Sequence, residues 1–132
     1  MKILMLTPYV PYPPSSGGQI ITLNLLRYLS KKNEITLVAL YKKDNEKKYF
    51  NHLKQFCKNI YLCKRPENPW KINIILKTIL SRLPFLIVRN FSSQAKQVIE
   101  QLLNQEQFDV IHAETFYIMP HIPDTKTPIV LA

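Results

Sequence analysis

The hydrophobic positions of this chain change period several times, and each change marks an element. Lys2–Leu6 is a short apolar run, the pattern of a buried strand. Thr7–Ser16 follows with Pro8, Pro11, Pro13 and Pro14 and reads as a loop. From Gln19 to Lys32 the spacing becomes helical, with Ile21, Leu25, Tyr28 and Leu29 on one face and Leu26 beside them. Glu34–Leu40 is again a continuous apolar run and predicts a second strand. Asp44–Phe56 predicts an amphipathic helix with Phe50, Leu53 and Phe56 inward and lysines outward. Asn59–Cys63 predicts a third strand, closed by Pro66 and Pro69. Lys71–Leu83 has the cleanest helical period, through Ile72, Ile75, Leu76, Ile79, Leu80 and Leu83. Ser92 or Ser93 can cap a further helix whose stripe is Ala95, Val98, Ile99, Leu102 and Leu103. Phe108–Ala113 predicts a fourth strand, Thr115–Met119 a helical turn ended by Pro120, and Pro128–Ala132 a fifth strand.

Strands that are continuous apolar runs, alternating with helices, predict an α/β fold: a doubly wound parallel sheet with helices on both faces. The chain stops inside a strand of buried type with no crossover helix after it, which predicts a native chain that continues past Ala132. An uncovered strand at Pro128–Ala132 also predicts poor solubility for the 132 residues alone.

Length and composition narrow the class without changing this picture. The 132 residues suit one domain, and 46% apolar with 20% charged content is globular. Cys57 and Cys63 do not make a disulfide framework or a four-ligand zinc site, and read as free buried thiols in a reducing compartment. The opening apolar run is too short for a signal peptide. The greasy stretch from Trp70 to Val88 is interrupted by Lys71, Lys77 and Arg82, so it should not span a membrane. A cytoplasmic protein is expected.

Charge is uneven. Residues 31–96 hold 15 of the 18 Lys and Arg against four acids, whereas residues 97–132 are net acidic. The basic middle fits attraction to nucleic acid or an anionic membrane, and it equally fits a solvated lysine-rich surface.

Glycine supplies the candidate chemistry. An average chain of this length holds about nine glycines; this one holds two, adjacent at Gly17 and Gly18. That count excludes a Gly-x-Gly-x-x-Gly dinucleotide fingerprint and a Walker phosphate loop. Ser16 and Gln19 are spaced as a capping box, which places both glycines in the first turn of the first helix. Glycine there costs about 1 kcal/mol relative to alanine. It allows close approach to backbone N–H groups at the positive helix end, a setting for phosphate. The plainer reading is a tight loop-to-helix turn. His112 and Glu114 fall at the end of the fourth strand, on the same edge as the glycines in a parallel sheet. His112 reads as a packed residue or an acid–base group. Glu114, with Thr115 next to it, reads as a binder of sugar hydroxyls or as a cap for the following turn. His121 reads as a loop residue, and no metal site is expected.

The segment Lys2-Ile3-Leu4-Met5-Leu6-Thr7-Pro8-Tyr9 through Pro13-Pro14-Ser15-Ser16-Gly17-Gly18 resembles the N-terminal domain of GT-B fold glycosyltransferases of the family-four type. Phe108-Asp109-Val110-Ile111-His112-Ala113-Glu114 resembles that domain's FDVIHxE strand, and the element order agrees over all 132 residues. The resemblance implies two Rossmann-like domains facing a cleft, the N-terminal one holding the acceptor and the C-terminal one most of a nucleotide-sugar donor. It implies that Gly17 and Gly18, with Ser16 and Gln19, reach the donor phosphates, and that His112, Glu114 and Thr115 line the acceptor side. It implies transfer of a hexosyl group with retention, with no metal and no cofactor besides the donor. The family's catalytic-region histidine usually follows the strand that here ends at Ala132, and His112 lies one strand too early to replace it. The second domain's Glu-rich donor motif is likewise missing, so these 132 residues alone are expected to be inactive.

Because many acceptors in such families are lipid-linked, the basic middle gains a meaning. Trp70, Lys71, Lys77 and Arg82, with Arg89 near, could lay the Lys71–Leu83 helix on an anionic membrane. The other use of its stripe is to cover the sheet. A non-catalytic domain whose basic face meets nucleic acid is the alternative class, and no aromatic RNA-binding signature or helix-turn-helix pattern supports it. An oxidoreductase lacks the fingerprint glycines.

Overall fold

The computed structural model describes residues 1–68 and 70–132; the closing role read for Pro69 lies outside the described residues. Five strands form one sheet: β1 (Lys2–Thr7), β2 (Glu34–Tyr41), β3 (Asn59–Lys64), β4 (Val110–Ala113) and β5 (Ile129–Leu131). Their spatial order is β3-β2-β1-β4-β5, and every pairing is parallel. Chain order reverses between β1 and β4, which creates a crevice outside their carboxyl ends.

Alternation along the central strands divides the core into two faces. Ile3 and Met5 of β1 join Leu37 and Ala39 of β2 on one face. That face is covered by Leu23 and Leu26 of α1 (Gly17–Leu29) and Leu53 of α2 (Phe50–Leu53). Leu4 and Leu6 join Val38 and Leu40 on the other. The other face is covered by a long helix, Ser93–Gln105, through Ala95, Ile99 and Leu102. Helices on both faces of an all-parallel sheet make this a Rossmann-like, doubly wound α/β fold, as the apolar runs predict. Burial pushes the thiols of Cys57 and Cys63 up to about 12 and about 11, and both are free, in line with inert core cysteines.

Several elements depart from expectation. The face of α1 is rotated: Thr22, Leu23 and Leu26 are buried, whereas Ile21 and Tyr28 are exposed. Two apolar faces compete on this helix, and the one that reaches Met5 and Leu37 from the start at Gly17 is the one that packs. The amphipathic stretch from Asp44 is a 3₁₀ turn over Asp44–Tyr49 followed by the single turn of α2. There the Glu46 carboxylate accepts from the N–H groups of Lys42 and Lys43 and tightens the start. The turn after β4 runs from Phe116 to His121 and contains Pro120, which therefore does not end it.

The largest departure concerns α3 (Ile72–Ser81). Its periodic stripe does not cover the sheet. Ile72, Leu76, Ile79 and Leu80 are exposed, and Ile74, outside the stripe, is the buried residue. The helix packs on α4 (Phe85–Asn90), which the pattern does not predict, and α4 in turn packs on the turn after β4. Arg82 ends α3 in the left-handed conformation, φ 56°, and Pro84 starts α4. The Ser93–Gln105 helix is therefore α5.

Candidate functional site

The carboxyl edge of the sheet gathers the residues singled out from sequence. Ser16 is the N-cap of α1, and its Oγ accepts from the Gln19 N–H. Gln19 completes a shifted version of the capping box: its Oε1 accepts from the N–H and Oγ of Ser15, while its Nε2 donates to the Val10 carbonyl at 2.9 Å. This ties the proline-rich loop to the helix start. Both glycines have ordinary helical backbone, so neither is needed for a positive φ. Their roles differ. A Cβ on Gly18 would lie 2.8 Å from the Tyr9 hydroxyl, whereas one on Gly17 would meet nothing within 4 Å. Gly18 admits Tyr9; Gly17 leaves its face of the first turn open.

Tyr9, which sequence reasoning missed, joins the two halves of the edge. It follows β1 by two residues, and its hydroxyl shares a 3.0 Å hydrogen bond with Thr22 Oγ1. Burial raises its pKa above the usual range; the Thr22 hydrogen bond opposes this, and the nearby Glu114 carboxylate adds to it.

Across the crevice, β4 carries half-buried His112 and is followed by buried Glu114. Nε2 of His112 and Oε2 of Glu114 are 3.1 Å apart, so a tautomer protonated at Nε2 donates to the carboxylate. The Glu114 N–H extends the sheet by donating to the Leu6 carbonyl at 2.9 Å. Glu114 therefore holds His112 rather than capping the next turn. Thr115 sits at φ 78°, ψ 152°, an outlier for a β-branched residue, and its Oγ1 is buried without a partner. Such a backbone costs roughly 1–3 kcal/mol and concentrates at functional sites. The structure thus brings Gly17, Gly18, His112, Glu114 and Thr115 to one edge.

His121 is not a loop residue but the last residue of the 3₁₀ turn after β4. It is fully buried and stacked on Phe91 at 4.9 Å. Its Nδ1–H donates to the Ile118 carbonyl, and its Nε2 accepts the Ser92 N–H, each at 2.9 Å. Burial lowers its pKa. Its role is to fasten the turn after β4 to the start of α5.

Along the same edge toward β3, a cavity of about 240 Å³ is lined by Tyr9, Ser16, Gln19, Lys42, Glu46 and Arg65, with Leu40 at its base. Lys42 and Arg65 directly follow β2 and β3. A cation in the first position after a parallel strand was the signal that could have found them. Among the described residues, no group of three or more His, Cys, Asp and Glu could hold a metal, and no helix is long and apolar enough to cross a membrane.

No protein-family model matches the chain, and no solved structure matches it. It is 23% identical over 118 residues to an uncharacterized 44.6 kDa protein in a cps region of Klebsiella pneumoniae. The match takes in 89% of this chain and 28% of that protein, so the chain spans less than a third of its relative's length.

Proposed function

We propose that this chain is the acceptor-side domain of a two-domain glycosyltransferase, which moves a sugar from a nucleotide-sugar donor to a glycan or lipid-linked acceptor. The observation that carries the reading is the meeting, through Tyr9, of the open first turn of α1 with the His112–Glu114 pair at the sheet's switch point. The N–H groups of Gly17 and Gly18 have no partner among the described residues and suit the donor's phosphates, with the helix dipole adding to the attraction. His112, Glu114 and Thr115 then face acceptor hydroxyls, Glu114 accepting and His112 oriented by it. The relative from a cps region fits work in polysaccharide biosynthesis.

The outer face of α3 adds a location. Ile72, Leu76 and Ile79, flanked by Lys71, Lys77 and Arg82, fit the surface of an anionic membrane on the cytoplasmic side. No acid interrupts residues 68–99, so charge and apolar surface act together.

In the two-domain protein, Gly17→Val is expected to raise the donor KM at least tenfold while leaving the melting temperature unchanged, because no neighbour obstructs the new side chain. Unchanged donor kinetics in Gly17→Val would sink the phosphate assignment.

A further inference from the structure

Two features of the carboxyl edge remain outside that mechanism. The first is the cation pair of the 240 Å³ cavity. Among the described residues, Lys42 Nζ makes neither a hydrogen bond nor an ion pair. Arg65 is held in place: its Nη1 donates to Asn90 Oδ1, and Asn90 Nδ2 donates to the Leu86 carbonyl at 2.7 Å. Arg65 Nε is shut off from solvent with no partner. The carboxylate of this cavity, Glu46, is already engaged by two backbone N–H groups. Burial, then the Arg65 and Arg89 charges, hold Lys42 below its usual range; burial, then Arg89, do the same to Arg65. The Glu46 carboxylate opposes this on both residues, but it is one negative charge beside two cations, which leaves an excess of positive charge that suits an anion.

The second feature is a mainly apolar groove of about 680 Å³ between α3 and α4, walled by Ile74, Leu80, Leu83, Ile87 and Val88, with Lys71 and Lys77 on its lining as well. The two features adjoin through neighbouring residues. Arg65 lines the cavity, and Pro66, the next residue, lines the groove. Asn90, which fixes Arg65, belongs to α4, whose Ile87 and Val88 also line the groove. A polar cationic pocket beside an apolar trough matches a molecule with an anionic head and an apolar tail.

We propose that Lys42 and Arg65 form a subsite for the phosphate head of an amphiphilic substrate whose tail lies in the α3–α4 groove. The proposal rests on the acceptor-side reading and names the acceptor's chemical class as a lipid phosphate. The guanidinium N–H groups of Arg65 that Asn90 leaves free and the ammonium of Lys42 supply charge-assisted hydrogen bonds to the phosphate oxygens. The groove supplies the apolar area to bury several methylenes of the tail. Free phosphate has the same head chemistry without the tail, so the test separates the two.

The two-domain protein, with no sugar donor present, is titrated by calorimetry with decyl phosphate, decanol and inorganic phosphate, all below micelle-forming concentrations. Decyl phosphate is expected to bind at least tenfold tighter than either of the others. Lys42→Gln and Arg65→Gln should each weaken decyl phosphate and inorganic phosphate about tenfold and leave decanol unchanged. Leu83→Gln, at an exposed groove position, should weaken decyl phosphate alone. Arg65→Gln removes the bond to Asn90, so Lys42→Gln, whose side chain supports nothing else, stands as the variant that keeps the fold. Decanol binding as tightly as decyl phosphate would overturn the anion subsite. Inorganic phosphate binding as tightly as decyl phosphate would overturn the groove. No sugar donor enters the measurement, so loss of sugar transfer in the two-domain protein would count against the transferase reading and not against this one.

Discussion

Helix α5 hides Ala95, Ile99 and Leu102 against the sheet, whereas α3 holds Ile72, Leu76, Ile79 and Leu80 in the open. Both segments show a clean helical stripe. They differ in what lies beside them. Ser92 caps α5 with an Oγ that accepts from the Ala95 N–H at 3.2 Å and donates to the Lys64 carbonyl at 2.6 Å, which anchors the helix beside β3. Lys71, at the corresponding place in α3, makes no side-chain cap hydrogen bond, and α3 rests on α4 rather than on the sheet. Period reports that a helix has an apolar face; it does not report what covers it. An apolar face left uncovered across a basic segment is unusual for a soluble surface, and it is the feature behind the membrane contact proposed above.

The comparison is most easily broken by truncating both stripes. Ile99→Ala should cost about 2–5 kcal/mol, because Ile99 is fully enclosed and its removal leaves a cavity. Ile79→Ala should lie within about 0.5 kcal/mol of the parent, since solvent already reaches it. Denaturant midpoints read both, and equal losses would mean that α3 is packed as α5 is.

A smaller effect sharpens the role of the open face. The triple change of Ile72, Leu76 and Ile79 to Gln should reduce cosedimentation with anionic vesicles about tenfold or more, with melting temperature unchanged. The parent should bind neutral vesicles far less and release anionic ones as salt rises. Equal binding to both vesicle types would leave the basic residues without a part in it.

The smallest effect concerns the anchor of α5. In the fold, His121 must be neutral to accept the Ser92 N–H, and burial lowers its pKa from the ordinary value near 6.5. Above that value both folded and unfolded chains are neutral at this site. As pH falls below about 6.5 the unfolded chain binds the proton first, so stability is lost. Thermal melts from pH 7.5 to 5 should show a decline that His121→Gln flattens. A parallel decline in both proteins would assign it to other groups.

The fold and much of the edge are legible in the residues themselves. Continuous apolar runs at Lys2–Thr7 and Glu34–Tyr41 can be buried only between two helical layers, so a doubly wound parallel sheet follows. Parallel strands carry their ends to one edge, which already places Gly17 and Gly18 beside His112 and Glu114. The Ser16–Gln19 spacing likewise fixes the start of α1, because its bonds are local.

What only the tertiary structure decided depends on contacts distant in sequence. The rotated face of α1, the buried bonds of His121, the outward stripe of α3 and the cavity of Lys42 with the Asn90-held Arg65 each join residues from separate elements. A side chain's own pattern carries its preference for apolar or polar surroundings. The partner that meets it is fixed by how the layers pack around the sheet.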